Sequence, residues 1–113
     1  MLRRILLMVM AVLVSTPVLA SSISEWLDDE KALIIDVRTP QEYQAGFITG
    51  AINIPVNSLS ISLDQIPSDR PVVLYCRSGR RSSSALHFLQ NKGYNNVYDG
   101  GGIDKMRAVV SKE

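Results

Sequence analysis

The sequence contains very few of the residues on which metal sites and disulfide-bonded folds depend. Cys76 is the single cysteine of the 113 residues, and His87 is the single histidine. An internal disulfide and a Cys-x-x-Cys redox motif both need a second cysteine, and a zinc site needs more nitrogen and sulfur ligands than these two residues offer. We therefore expect no metal, no cofactor and no disulfide oxidoreductase activity.

The sequence also has no large excess of positive or of negative charge. The chain has 12 Lys and Arg residues against 11 Asp and Glu residues, which gives no support to binding of nucleic acid or of a membrane surface. Basic charge is instead concentrated locally, at Arg77, Arg80 and Arg81. Such a cluster indicates a small anionic ligand.

Long apolar runs are absent except near the N-terminus. Two arginines precede an unbroken apolar run at residues 5–14, and Ala20 ends a segment with the small residues typical of a cleavage site. This pattern predicts that residues 1–20 are a cleaved signal peptide, that the protein is periplasmic, and that residues 21–113 form one domain. A retained membrane anchor is the alternative, but residues 5–20 fall short of the roughly 20 apolar residues that span a bilayer.

Short apolar segments alternate with helical patterns along the rest of the chain. This alternation predicts an α/β fold in which a small parallel sheet carries helices on both faces. Capping boxes predict helix starts at Ser22-x-x-Glu25 and Thr39-x-x-Glu42, and residues 56–67 carry the pattern of a helix or helical turn. The predicted strands are residues 33–37, 51–54, 72–75 and 97–98.

The stretch from the third strand onward carries the chemistry. Residues 72–75 are entirely apolar, Cys76 follows at once, and a cluster of serines from Ser82 precedes a helical pattern. In a parallel sheet, such a loop lies at the carboxyl ends of the strands, where ligands bind. The backbone N–H groups and dipole of the helix N-terminus favour an anion and the thiolate form of Cys76. We expect Ser82 to cap this helix, and His87 to be a helix residue without a catalytic role.

These residues resemble the rhodanese sulfurtransferase family. The six residues 76–81 resemble its active-site loop, which begins with the catalytic cysteine. Residues 36–38, 42–43 and 46–55 resemble its two N-terminal signatures, and residues 101–103 its terminal Gly-Gly motif. With the predicted signal peptide, the chain resembles the small phage-shock-type periplasmic rhodaneses.

The resemblance implies that Cys76 takes a sulfane sulfur from thiosulfate or a similar anionic donor. The resulting persulfide would pass the sulfur to a thiophilic acceptor, either cyanide or a thiol. Asp36 and Arg38 are expected to be structural, and Arg38 is expected to pair with Glu42. The expected substrate-binding residues of the loop are Arg77, Ser78, Gly79, Arg80, Arg81 and Ser82.

Two alternatives to a sulfurtransferase share the reactive cysteine. A persulfide carrier without turnover uses the same thiol, and steady-state thiosulfate:cyanide turnover distinguishes it from an enzyme. A cysteine-dependent phosphatase or arsenate reductase has a loop one residue longer, with its arginine six positions after the cysteine. Here Ser82 holds that position and Arg81 comes one residue too early, so the loop favours the smaller sulfur centre.

Overall fold

The structure, a computed structural model, describes residues 18–28 and 31–110, with side chains from Ile23 onward. Strands and helices alternate along these residues, and two short 3₁₀ helices precede the third strand. The elements are α1 (Val18–Asp28), β1 (Leu33–Asp36), α2 (Pro40–Gln44), β2 (Ile52–Asn53), the 3₁₀ helices Val56–Ile61 and Leu63–Gln65, β3 (Val72–Cys76), α3 (Arg80–Asn91), β4 (Val97–Gly102) and α4 (Ile103–Val110).

The four strands form one parallel sheet in the order β2-β1-β3-β4. β3 lies at its centre, and every residue of β3 is buried. A strand covered on both faces must be apolar throughout, which explains its sequence. The predicted α/β fold with a parallel sheet is confirmed.

Side chains of β3 alternate between two hydrophobic cores. On one face, Leu74 packs in a core with Leu89 of α3 and with Leu59 of the first 3₁₀ helix. On the other face, Val73 packs in a second core that includes Ile23 of α1 and Met106 of α4. Helices therefore cover both faces of the sheet.

The capping box at Thr39 is present in the structure. The Thr39 hydroxyl accepts a hydrogen bond from the Glu42 backbone N–H at 3.2 Å, and Thr39 N–H donates to Glu42 Oε1 at 3.0 Å. Pro40 occupies the first helical position, where its missing N–H costs nothing. The predicted start of α2 is confirmed.

The predicted start of the first helix is wrong, because α1 is already helical at Val18. The leucine and alanine before Ser22 have high helix propensity and extend the helix past the expected cap. Residues 1–17, which make up most of the predicted signal peptide, lie outside the described residues. In the described part of the chain, no helix has the length and apolar character needed to cross a membrane.

Candidate active site

Cys76 is the last residue of β3 and is only 1% exposed. The chain turns sharply after it, because α3 begins at Arg80. Gly79 makes this turn possible, as its φ of +102° lies in the left-handed region that other residues rarely adopt. The buried strand and the helix together hold the thiol at the carboxyl edge of the sheet, as the sequence pattern predicted.

Backbone N–H groups surround the sulfur. Gly79 N–H donates to Cys76 Sγ at 3.0 Å and Ser82 N–H donates at 3.4 Å, while the Ser82 hydroxyl oxygen lies 3.6 Å from Sγ. Burial raises the pKa of the Cys76 thiol, but hydrogen bonds to the sulfur, with that of the Ser82 backbone N–H the largest among them, bring the pKa below its ordinary value. The loop therefore favours a thiolate through fixed dipoles.

The three loop arginines have different environments. Arg77 and Arg80 are exposed, whereas Arg81 donates to both carboxylate oxygens of Glu42, at 2.7 and 3.1 Å. The Arg81 guanidinium is the main reason that the pKa of Glu42 falls to about 2. Arg81 thus joins α3 to α2, and Arg77 and Arg80 remain accessible to an anionic ligand.

A cavity of about 400 Å³ opens beside the loop. Arg77 and Ser78 line it from the loop, and Arg38 and Glu42 line it from the segment after β1. A small anion entering this cavity meets the exposed Arg77 side chain. The cavity therefore brings two of the expected loop residues together with residues of the first N-terminal signature.

Ser82 does not cap α3, which corrects the sequence-based expectation. The N-cap residue is Gly79, which has no side chain to accept the helix N–H groups. The Ser82 hydroxyl, fully buried, donates to Asp99 Oδ1 at 2.7 Å and lies 3.1 Å from the Gly79 carbonyl oxygen. Asp99 was not predicted to belong to the site, and its position just before three consecutive glycines is the one sequence signal that could have indicated it.

Asp36 and Arg38 form a buried ion pair at the end of β1. Arg38 Nη2 lies 2.6 Å from Asp36 Oδ2, and Arg38 Nε lies 2.9 Å from Asp36 Oδ1. Arg38 also donates to the Gly46 carbonyl oxygen at 2.7 Å, which ties β1 to the end of α2. The structural role expected for both residues is consistent with this geometry, but the predicted pairing of Arg38 with Glu42 is wrong.

The described residues do not form a cluster of metal ligands. Among residues 18–28 and 31–110, no group of three or more His, Cys, Asp or Glu side chains is arranged to hold a metal ion. His87 is exposed on α3. The backbone N–H groups of Gly79 and Ser82 point at Cys76 Sγ, an arrangement that favours the thiolate form of the cysteine.

Comparison with known proteins identifies the family. A profile of the rhodanese-like domain matches residues 19–107. The chain belongs to this family. The resemblance found in the loop and in the flanking signatures is therefore confirmed, together with the sulfurtransferase class of function that it implied.

Relatives and solved structures give the same picture. A sulfurtransferase of Allochromatium vinosum is 43% identical over 86 residues, which cover 74% of this chain and 80% of that protein. The thiosulfate sulfurtransferase GlpE of Pseudomonas entomophila is 39% identical, with 74% of this chain and 78% of that protein covered. A solved structure described as a rhodanese with anions from E. coli matches with a TM-score of 0.60 and 36% identity, and the match covers 66% of this chain and 89% of that one.

Proposed function

We propose that this rhodanese-like protein is a thiosulfate sulfurtransferase in which Cys76 carries the transferred sulfur. The observation that carries the proposal is the position of Cys76 Sγ, which accepts hydrogen bonds from the N–H of Gly79 in the six-residue loop and from the N–H of Ser82, the next residue after the loop. A thiolate held by backbone dipoles is stabilised against protonation and keeps its nucleophilic sulfur. The thiosulfate sulfurtransferase named among the relatives supports this choice of donor.

The reaction proceeds in two steps that balance in atoms and charge. The Cys76 thiolate attacks the outer sulfur of thiosulfate, a sulfur–sulfur bond forms at Sγ, and the bond within thiosulfate breaks as sulfite leaves with its electron pair. The acceptor, cyanide or a thiolate, then attacks the outer sulfur of the persulfide. Thiocyanate or a new persulfide leaves, and the Cys76 thiolate is regenerated.

The loop supplies charge stabilisation at both steps. Arg77 and Arg80 are exposed beside the thiol, and they attract the doubly negative donor. In the persulfide the negative charge moves to the outer sulfur, where the backbone N–H groups of the curled loop are the available donors. Arg81 has a different role, because its ion pair with Glu42 fixes the first turn of α3.

Intact-mass measurement after exposure to thiosulfate tests the persulfide. We expect the protein to gain one sulfur atom and to lose it again when cyanide is added. Cys76→Ser should gain none, although its circular dichroism spectrum should match that of the wild type. Sulfur transfer by Cys76→Ser at more than a few per cent of the wild-type rate would contradict the proposal.

Two further assays separate the alternatives. Steady-state formation of thiocyanate over many turnovers distinguishes the enzyme from a carrier that is loaded only once. Hydrolysis of an aryl phosphate by the wild type should not exceed hydrolysis by Cys76→Ser. If Cys76 supported hydrolysis of an aryl phosphate faster than sulfur transfer, the protein would be a phosphatase and this proposal would be wrong.

We propose in addition that residues 1–20 direct export and are removed, as the basic start and apolar run of the sequence indicate. Cleavage after Ala20 would leave Ile23 in place, and Ile23 is fully buried in the core against α4. Mass analysis of the protein from a periplasmic extract should give an N-terminus at Ser21. An intact Met1 in a washed membrane fraction would instead indicate an anchor.

A further inference from the structure

The Ser82 hydroxyl has one proton and three acceptors around it. Asp99 Oδ1 lies 2.7 Å away, the Gly79 carbonyl oxygen 3.1 Å, and Cys76 Sγ 3.6 Å. A hydroxyl that donates to a carboxylate forms a short, charge-assisted bond of about this length, roughly twice as strong as a neutral one. The proton therefore points to Asp99, and a lone pair of the Ser82 oxygen faces the sulfur.

The backbone of β4 fixes the Asp99 carboxylate. Asp99 lies opposite Leu74 in the sheet, but Cys76 lies opposite Gly102, so β4 carries one extra residue in between. This bulge bends the strand, and Gly101 N–H donates to the same Asp99 Oδ1 at 2.9 Å. Because two donors converge on one oxygen, the carboxylate is held toward Ser82.

Charged groups from several elements surround the loop. Arg81 lies on α3 and is paired with Glu42 of α2, and Lys105 of α4 packs over Gly101. Arg38 after β1, Arg77 in the loop and Asp104 of α4 line the adjacent cavity. None of these side chains is a histidine, and the single histidine of the chain, His87, is exposed on α3.

We propose that Asp99 is a positioning residue that acts through Ser82: it holds the hydroxyl proton away from Cys76 Sγ, so that the thiolate is stabilised by backbone N–H groups alone. The inference rests on the proposed role of Cys76 as the nucleophile. A thiolate with one hydrogen bond fewer is more basic, and each ionised sulfur is then more nucleophilic towards the donor. When Asp99 is absent, the Ser82 hydroxyl is free to turn to the sulfur.

The test is the pH dependence of Cys76 alkylation by iodoacetamide, which reports the thiol pKa without requiring sulfur transfer. Asp99→Ala should lower this pKa by about one unit, because the released hydroxyl donates to the thiolate. Asp99→Asn keeps an acceptor oxygen and should stay near the wild-type value. In a Ser82→Ala background, Asp99→Ala should produce no shift.

Ser82→Ala provides an independent arm that does not depend on how well Asp99→Ala folds. Since the hydroxyl already points away from the sulfur in the wild type, its removal should not raise the thiol pKa. A rise of about one unit would overturn the proposal, because it would mean that Ser82 donates to the thiolate. His87→Gln serves as the control, and its alkylation profile should match that of the wild type.

Two other results would also overturn the proposal. An Asp99→Ala shift that persists without the Ser82 hydroxyl would show that the carboxylate acts directly through its charge. An Asp99→Ala protein that is folded and has an unchanged thiol pKa would show that Asp99 does not hold the hydroxyl. Failure of the proposed function looks different, because a protein that transfers no sulfur can still show the expected alkylation shifts.

Discussion

The ends of β1 and β3 lie side by side at one edge of the sheet, and the two strands end in opposite ways. β1 ends in Asp36, which is fully buried and whose carboxylate is neutralised by the buried guanidinium of Arg38. β3 ends in Cys76, whose sulfur receives only hydrogen bonds from the loop that follows. One strand end carries a completed ion pair, and the other carries a thiol whose sulfur accepts hydrogen bonds from backbone N–H groups.

The charges at the end of β1 serve stability, whereas the hydrogen bonds at the end of β3 serve reactivity. Asp36 raises the pKa of Arg38 by accepting its hydrogen bonds, and the N–H groups that make these bonds are not available to a ligand. Around Cys76, dipoles are arranged in advance where negative charge is needed, and they need not reorganise during the reaction. The neighbouring ion pair between Asp36 and Arg38 stabilises the edge of the sheet at which those dipoles lie.

Breaking the ion pair at the end of β1 should have the largest effect. Arg38→Met keeps much of the apolar part of the side chain but leaves the buried Asp36 carboxylate without its counter-ion, so we expect the free energy of unfolding to fall by about 3–5 kcal/mol. Urea unfolding at neutral pH measures the loss. The matched control is Arg107→Met, because Arg107 is half exposed and forms only a 3.6 Å pair with Asp104. The control should cost less than about 1 kcal/mol, and equal losses in the two variants would refute the structural role of the buried pair.

Changing the length of the loop after β3 should have the next largest effect. One glycine inserted between Gly79 and Arg80 would move the Ser82 N–H away from the sulfur, and misplacement on the scale of 1 Å can reduce a rate about 100-fold, or about 2.7 kcal/mol. Thiosulfate:cyanide turnover measures the loss. The inserted variant has the cysteine-to-arginine spacing of the phosphatases, so a low aryl phosphate hydrolysis is expected to appear.

The control for this insertion lies at the other end of the same helix. One glycine added after Gly93, an exposed residue beyond the end of α3, should leave sulfur transfer nearly unchanged. If the insertion after Gly79 kept activity within about threefold of the control, the size of the loop would not determine the chemistry.

The sequence predicted features that depend on neighbours in the chain. The apolar run of β3 and the capping box between Thr39 and Glu42 are both local, and each is present. The position of Cys76 at the carboxyl edge then followed from the rule for parallel sheets. A single cysteine between such elements was enough to locate the candidate site.

The choice of ionic and hydrogen-bond partners was not predictable in the same way. Glu42 pairs with Arg81, 39 residues away, because α2 and α3 approach at the rim of the site. Arg38, which is nearer to Glu42 in the sequence, turns inward to Asp36 instead. Asp99 reaches Ser82 because of a bulge in β4, and no local pattern specifies a bulge of this kind.

Breaking the ion pair between Glu42 and Arg81 should have the smallest effect on stability, because this pair joins α2 to α3 near the surface. Both side chains are about 30% exposed, at 27% for Glu42 and 32% for Arg81, and such pairs contribute up to about 1 kcal/mol. Glu42→Gln keeps the oxygen that caps α2 but removes the charge, so we expect a loss of less than about 1 kcal/mol at neutral pH.

The pH dependence of that loss gives the sharper test. The pKa of Glu42 is lowered from 4.5 to about 2, chiefly by its hydrogen bonds with Arg81. A carboxylate with a lowered pKa in the folded state stabilises the protein above its unfolded value, and this contribution is lost as the pH falls toward the folded value. The stability difference between wild type and Glu42→Gln should therefore be complete above about pH 5 and should shrink between pH 4.5 and about 2. Asp104→Asn, at a side chain that is 96% exposed, should show almost no difference from wild type over the same range. A Glu42→Gln difference that stays constant down to about pH 2 would mean that the charge of Glu42 does not join α2 to α3.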